Sequence, residues 1–393
     1  MNLPWSRRDF LQMMGCSSLS GMGSRLAWLT GSSARPSEPR FAYVGHMDEG
    51  REHGIQVFAV ERRGWRRVQD IASERPVFLA LHPGEQFLYA VNEIDSYRHL
   101  PSGSVEAFAI DPASGYLSRL NRQPLSLSAT SPRHMAISPD GSAVVVASHG
   151  GGAYNVLPIA GNGELGRVSA IVKETGSSVK ERHQEAAHPQ MVLFDTTGQR
   201  LLGADLGSDR LSVFSLAGDQ VAVNHRSSLR AGSGPRSLAL HPEGRLLFVA
   251  NGLEASVSCY EYDSSTGRIG SQLGHVATAG GEAKESGVVM AMHPSGQFLY
   301  TANRDPKAAS SADGVMVWRT SASGALTPVQ SAEEGLHGIH AMAMAKDGNS
   351  LMLVSRERGS VVQLQLDPVS GRVKDTVPVA KISAPVSVAM KFI

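Results

Sequence analysis

Residues 79–93, LALHPGEQFLYAVNE, consist of an apolar run, a short polar turn and a second apolar run that ends in polar residues. Aliphatic and β-branched runs on either side of a turn cluster predict two antiparallel strands joined by a tight turn. The same phrase returns five times, as MAISPDGSAVVVASH at 135–149, MVLFDTTGQRLLGADL at 191–206, LALHPEGRLLFVANG at 238–252, AMHPSGQFLYTANR at 291–304 and AMAKDGNSLMLVSR at 343–356. A period of about fifty residues that holds several strands is typical of a β-propeller.

A second hairpin usually follows the first one in each unit. Clear examples are SVEAFAIDPASGYL at 104–117, SVSCYEYDSSTGRI at 256–269 and SVVQLQLDPVSGRV at 360–373. In their shared Asp-x-x-Ser/Thr-Gly tip, the Asp caps its own turn and the Gly takes the positive φ that side chains resist. Four strands per unit is the size of one propeller blade.

The two ends of the chain supply the strands that close the ring. SVAMKFI at 387–393 has the apolar opening of the phrase, and residues 40–68 supply the strands that should follow it. We therefore predict an all-β, seven-bladed propeller of four-stranded antiparallel blades, whose last blade combines N- and C-terminal strands and leaves no exposed edge. A pair of β-sandwiches is the alternative, and the period disfavours it.

The first forty residues do not belong to the repeat. They contain Ser6-Arg7-Arg8-Asp9-Phe10-Leu11, a twin-arginine export signature, followed by a weakly apolar stretch that includes Arg25. That stretch is too polar to remain in a bilayer, so we expect a cleaved signal rather than stable membrane insertion. The expected organisation is a signal at 1–34, a linker at 35–40 and the propeller at 41–393. Export through the twin-arginine translocase predicts a periplasmic or secreted protein.

Composition argues against several functional classes. The 37 Lys and Arg residues are scattered among 36 acidic residues, so no basic face for nucleic acid is expected. Cys16 would leave with the signal, and Cys259 lies within a strand pattern as a small core residue. The 14 His residues lack metal-ligand spacing, so neither metal nor cofactor is expected. Three of them occupy the repeat turn and are expected to be structural, namely His82, His241 and His293.

Three segments interrupt the repeat with residues that a turn does not require. ERHQEAAHPQ at 181–190 and Gly234-Pro235-Arg236 each stand before the first strand of a blade, and Asn303-Arg304-Asp305 follows a second strand. Such positions are expected to lie near the central mouth of the ring. Loops elsewhere, including EIDSYRHLPSG at 93–103, provide additional recognition surface.

These residues, with DLGSDRLSVF at 205–214, resemble the lactonase family of seven-bladed propellers, which includes bacterial 6-phosphogluconolactonase and fungal muconate-lactonizing enzyme. The likeness extends from about Phe41 to the C-terminus. In that family a His, two Arg and a Glu form the proposed catalytic set, and the resemblance assigns the first three roles to His188, Arg236 and Arg304. The chain has Gly252 where the Glu would stand, and Glu254 lies two residues further along.

Other positions also depart from the family pattern: Ser237 replaces a frequent His, Ser148-His149 replaces Asn-Tyr, and Ile339-His340 replaces Pro-Arg. Lactone hydrolysis nevertheless suits the matched residues. His188 would act as the base for water attack, and the two arginines would stabilise the oxyanion without a metal. Six further residues are expected to bind substrate, namely Glu93, Arg182, Gln184, Asp205, Glu254 and His340.

Export favours an unphosphorylated sugar lactone over 6-phosphogluconolactone, because the latter belongs to cytoplasmic metabolism. Two other functional classes stay open. The first is a non-catalytic exported propeller that binds a ligand or protein, which the missing glutamate favours. The second is a lactone-forming isomerase, which only family analogy supports.

Overall fold

The computed structural model describes residues 39–48, 53–61, 64–217, 220–278, 287–304, 314–332, 336 and 338–392. These residues form seven four-stranded antiparallel sheets arranged as the blades of a closed ring, so the predicted propeller is confirmed. The predicted signal at 1–34 and residues 35–38 of the predicted linker lie outside the described residues. Within the described ranges, no helix has the length and hydropathy needed to cross a membrane.

The first three strands belong to the closing blade, blade 7. Blades 1 to 3 then follow in chain order, with the innermost strand first in each. The strands of blade 7 are β1 (Pro39–His46), β2 (Gly54–Glu61) and β3 (Gly64–Ala72); of blade 1, β4 (Pro76–Leu81), β5 (Phe87–Asn92), β6 (Ser104–Ile110) and β7 (Leu117–Pro124); of blade 2, β8 (Pro132–Ile137), β9 (Ala143–Ser148), β10 (Ala153–Pro158) and β11 (Ala170–Lys173); of blade 3, β12 (Pro189–Phe194), β13 (Arg200–Asp205), β14 (Arg210–Ala217) and β15 (Gln220–Ser228).

Blades 4 to 6 repeat this order, and one last strand returns to blade 7. The strands of blade 4 are β16 (Pro235–Leu240), β17 (Leu246–Asn251), β18 (Ser256–Asp263) and β19 (Arg268–Ala277); of blade 5, β20 (Gly287–Met292), β21 (Phe298–Arg304), β22 (Val315–Thr320) and β23 (Leu326–Ala332); of blade 6, β24 (Ile339–Met344), β25 (Ser350–Ser355), β26 (Ser360–Leu366) and β27 (Val373–Lys381); the final strand is β28 (Pro385–Phe392).

Blade 7 is closed as the sequence predicted. β28 is its innermost strand and pairs antiparallel with β1, with Tyr43 opposite Ala389 and Val44 opposite Val388. β28 also contacts β4 of blade 1 and β24 of blade 6. The C-terminal strand therefore joins the two halves of the ring.

Apolar side chains fill the spaces between neighbouring blades. Tyr89 and Val91 of blade 1, for example, are fully buried in one cluster with Val144 and Val146 of blade 2. Tyrosine hydroxyls add polar links across the same spaces, because Tyr89 Oη donates to the carbonyl of Gly163 in the next blade at 3.0 Å. Burial of these second strands holds the blades at fixed angles around the channel.

The turn histidines are structural, as predicted from their recurrence. His82 Nδ1 accepts from the Gly84 N–H within its own turn, and Nε2 lies 3.2 Å from the Gly141 carbonyl of blade 2. His293 makes the corresponding contact with the Gly348 carbonyl of blade 6 at 3.0 Å. Gly141 has φ +73°, and a Cβ there would lie 2.1 Å from the His82 ring, so the turn requires glycine.

Candidate functional site

One residue at the start of each innermost strand lines the central channel. In blade 4, Pro235 pairs with Asn251 and Ser237 pairs with Ala250, so Arg236 is bulged out of the ladder. Corresponding bulges occur in blades 1, 2, 3, 6 and 7, whereas blade 5 is regular at this point. A bulge redirects a side chain at a strand end. The seven residues, which we call the channel ring, are Val77, Arg133, Gln190, Arg236, Val288, His340 and Val386.

The channel ring is polar on one side. Arg133, Gln190 and Arg236 come from three consecutive blades and also line an adjoining cavity of about 320 Å³. Valines occupy the positions of blades 1, 5 and 7. The chemistry of this end is therefore concentrated at blades 2 to 4, where the segment that contains His188 joins the ring.

Two predicted substrate-binding residues hold this segment in place. Asp205 Oδ1 accepts the backbone N–H of His188 at 2.6 Å, and its other oxygen accepts from Ser208 Oγ at 2.6 Å. Burial raises the pKa of Asp205, whereas these hydrogen bonds oppose the rise. The buried Gln184 amide donates to the Leu206 carbonyl at 2.8 Å. Neither side chain is among the described residues that line the cavity, so both support His188 from behind.

Both nitrogens of the His188 ring have close partners. Nδ1 lies 3.0 Å from the carbonyl oxygen of His149, and Nε2 lies 3.0 Å from Oε1 of Glu185. A carbonyl oxygen can only accept, so Nδ1 carries a proton and Nε2 is the nitrogen with acid–base freedom. The His188 side chain is 11% exposed, whereas that of Glu185 is 59% exposed.

His149 stacks on His188, with ring centroids 4.2 Å apart and planes at 18°. The Gln190 amide lies 2.6 Å from Nδ1 of His149 and donates to it, which leaves Nε2 as the protonated nitrogen. Burial, together with the positive charges of Arg133, His188 and Arg236, lowers the pKa of His149 to about 3. His149 therefore remains neutral beside His188 at ordinary pH.

Glu93 acts on the channel ring rather than on the cavity directly. Its carboxylate forms ion pairs with Arg133 and with Arg75, the latter at 3.3 Å, and only 11% of its side chain is exposed. Glu93 therefore fixes the direction of Arg133. Sequence reasoning missed Arg133 itself, although Pro132-Arg133 repeats the pattern of Pro235-Arg236 two periods apart.

The other predicted residues divide into two groups. Arg182 lines the cavity with His188 and Arg236. His340 belongs to the channel ring and donates from Nδ1 to the Val386 carbonyl at 2.9 Å. Glu254 instead forms an ion pair with Arg230, with 2.6 Å between the charged atoms. The described lining of the cavity includes Gly252 and Leu253 but not Glu254, so Glu254 does not replace the missing carboxylate there. The backbone of Arg304 pairs with Gly287 at the start of blade 5, and its side chain lies outside the described residues.

The described lining of the cavity is rich in basic residues. It contains three arginines and three histidines, and Glu185 is its one acidic residue within the described ranges. Such a lining can stabilise an oxyanion or hold an anionic group. Within the same ranges, no group of three or more His, Cys, Asp or Glu side chains is arranged to bind a metal.

A closed seven-bladed ring with a polar cavity at one end of its channel defines a β-propeller with a small-molecule site. Residues 41–390 match the family model described as "Lactonase, 7-bladed beta-propeller". The chain belongs to this lactonase family, which confirms the resemblance inferred from sequence and the prediction of an enzyme of the lactonase class.

Curated relatives support this membership. The chain is 26% identical over 357 residues to 6-phosphogluconolactonase of Bacillus subtilis strain 168, covering 89% of this chain and 97% of the relative. It is 25% identical over 305 residues to 6-phosphogluconolactonase of Formosa agariphila, covering 76% of this chain and 83% of the relative. The solved structure of the periplasmic gluconolactonase of Pseudomonas aeruginosa has the same fold, with a TM-score of 0.79 and 23% identity. The match covers 89% of this chain and 98% of that one.

Proposed function

We propose that the chain is an exported lactonase that opens an unphosphorylated sugar lactone by base-assisted attack of water. The observation that carries this proposal is the meeting of His188, Arg236, Arg133 and Arg182 around one cavity in a lactonase-family propeller. The fixed Nδ1–H leaves Nε2 of His188 as the base. The arginines supply fixed positive charge without needing a metal.

The reaction balances with these groups. The water oxygen bonds to the lactone carbonyl carbon while His188 Nε2 takes one water proton, and the carbonyl oxygen becomes an oxyanion beside Arg236. The ring C–O bond then breaks, and the departing alkoxide takes the proton from His188. The product is an open-chain hydroxy acid, whose carboxyl group ionises and releases a proton to the solvent. Arg304, placed at the same end of blade 5 by its backbone, is proposed as a second oxyanion donor.

A pH-indicator screen of aldonolactones tests this function without presuming a substrate. Relative to the uncatalysed rate, we expect the purified protein to accelerate opening of an unphosphorylated aldonolactone. His188→Ala and Arg236→Ala should each lower kcat/KM by about 100-fold or more. Arg245→Ala, at a 72% exposed side chain in the turn between β16 and β17, is the matched control and should keep full activity. Equal rates in all four proteins would remove His188 and Arg236 from the mechanism.

A non-catalytic binding propeller is the second candidate, favoured by Gly252 at the position where a carboxylate was expected. It predicts that aldonolactones or their hydroxy acids bind to the wild type without turnover. Calorimetric titration of the same panel distinguishes the two candidates, because binding with no acceleration of opening supports this second function and contradicts the first.

The proposed location rests on the twin-arginine signature at residues 6–11, outside the described residues. Passage through the twin-arginine translocase would deliver the folded propeller to the periplasm or the medium. Arg7→Lys with Arg8→Lys should retain the full-length chain in the cytoplasm, and Arg25→Lys is the control that should still be exported. Fractionation that finds all three proteins in the cytoplasm would contradict export.

A further inference from the structure

The contact between His188 and Glu185 has a consequence for proton placement. Nδ1 of His188 donates to a carbonyl, and Nε2 faces a carboxylate oxygen at 3.0 Å. An ionised carboxylate also only accepts hydrogen bonds, so this distance requires one proton between Nε2 and Oε1. The pair therefore holds a single shared proton in the described geometry.

The carboxyl group of Glu185 favours its ionised form. The pKa of Glu185 lies below its usual value because its own backbone N–H and the His188 ring both donate to the carboxylate. Glu185 is also the more exposed partner, so water stabilises its charge. The pair lies at the edge of a cavity of about 320 Å³ that has room for water.

Loss of the shared proton changes this contact from attractive to repulsive. The Nε2 lone pair and the carboxylate would then face one another with no hydrogen between them. A water molecule that separates the two groups can donate one hydrogen to each, which leaves its oxygen lone pairs directed into the cavity. This is the orientation that attack on a carbonyl carbon requires.

We propose that Glu185 is a catalytic residue that binds and orients the nucleophilic water together with Nε2 of His188. The inference rests on the proposed lactonase function and extends it to a residue that sequence reasoning did not select. In the attack, one water proton moves to Nε2, the water oxygen bonds to the carbonyl carbon, and the carboxylate keeps its hydrogen bond to the remaining proton. The resulting imidazolium lies beside Glu185 and is stabilised by its charge.

Several other ionisable groups face the pair and contribute to its titration. They come from blades 2, 3 and 4 and from the segment before β12, and they are Arg133, His149, Arg182, His183, Asp205 and Arg236. Glu185→Gln leaves all of them in place and removes one charge at nearly constant size. A difference between this variant and the wild type therefore reports the carboxylate.

The experiment combines a rate profile with a titration that does not depend on activity. In Glu185→Gln, we expect kcat to fall at least tenfold with little change in KM, and the acidic limb of kcat/KM to move about one pH unit lower, because the imidazolium loses its carboxylate partner. The NMR titration midpoint of the His188 ring should move in the same direction. Glu181→Gln, an exposed glutamate of the same segment, is the matched control and should change neither measurement.

The outcomes separate the inference from the function on which it rests. A His188 midpoint that is the same in all three proteins, or a Glu185→Gln enzyme with wild-type kcat and pH profile, would overturn the role of Glu185 while lactonase activity stands. If the wild type opens no lactone but the His188 midpoint still moves in Glu185→Gln, the proposed function is overturned while the His188–Glu185 pair stands. Partial recovery of kcat in Glu185→Asp would support the need for a carboxylate.

Discussion

At the scale of single residues, two histidines near this end of the channel stay neutral at ordinary pH. The His134 ring packs against Phe78 in a tilted arrangement, with ring centroids 4.0 Å apart, and burial lowers its pKa to about 3. His149 has a similarly lowered pKa for the reasons given above. Both rings therefore avoid adding charge to a channel that already holds arginines.

These lowered pKa values predict acid sensitivity. In the unfolded chain both histidines would titrate near their ordinary value of about 6.5, so between about pH 6.5 and 3 the unfolded state binds more protons. Stability is therefore greatest above pH 6.5 and falls on acidification, by up to about 1.4 kcal/mol per pH unit for each histidine. Urea unfolding measured from pH 7 to 4 should show that the free energy of unfolding falls less steeply with decreasing pH in His134→Gln than in the wild type. His99→Gln, at an exposed position, should keep the wild-type slope, and identical slopes in all three would contradict the prediction.

Individual site residues were only partly predictable from sequence. His188, Arg236 and Arg182 were singled out because they interrupt the repeat, and they line one cavity in the structure. His149 and Gln190 were missed as site residues because their roles depend on contacts between blades. An alignment of the units on their Pro-x position would have shown Arg133, Gln190 and Arg236 as equivalent.

At the scale of the element, the hairpin tips serve two purposes. Asp263 caps its turn through Ser265 and Thr266, and these hydrogen bonds lower the pKa of its carboxyl to about 2. The tips also contact the preceding blade, as Tyr300 shows by donating to the Gly371 carbonyl at 2.8 Å. The turn chemistry was predictable from sequence, whereas this contact was not, because it joins residues 71 positions apart.

Removal of one such hydroxyl should weaken the fold by a measurable amount. Tyr300→Phe leaves the buried Gly371 carbonyl without this donor, so we expect the free energy of unfolding to fall by about 1 kcal/mol. Denaturant unfolding provides the measurement. Tyr116→Phe, at a side chain that is 46% exposed, is the control with the same chemical change and should be neutral. Equal losses in both variants would show that the link between blades contributes nothing specific.

At the scale of the whole molecule, closure of the ring depends on a strand from the far end of the chain. β28 supplies Val388 and Met390 to the cluster between blades 6 and 7, and Val386 to the cluster between blades 1 and 2. The repeat made this arrangement predictable, because six complete phrases left one incomplete unit at each terminus. The end of the channel that carries the candidate site was indicated by residues 181–190 and 234–236, which interrupt the repeat before the innermost strands of blades 3 and 4.

A chain that ends at residue 384 lacks β28 and should not close. We expect loss of the cooperative thermal transition, because β1 would lose its inner partner and several clusters would be opened to water. Circular dichroism during heating measures this. Addition of a synthetic peptide with residues 385–393 should restore the transition, and a truncated protein that unfolds like the wild type would contradict the role of β28.

The bulged channel ring also has a consequence for how this family can change. The four polar members of the channel ring, Arg133, Gln190, Arg236 and His340, are displaced from the strand ladder and belong to none of the apolar clusters between blades, so exchanging one of them breaks no backbone pairing. Selectivity and folding are therefore encoded at largely separate positions. New substrates can be accommodated through these four interchangeable sites around a common axis while the architecture is inherited unaltered.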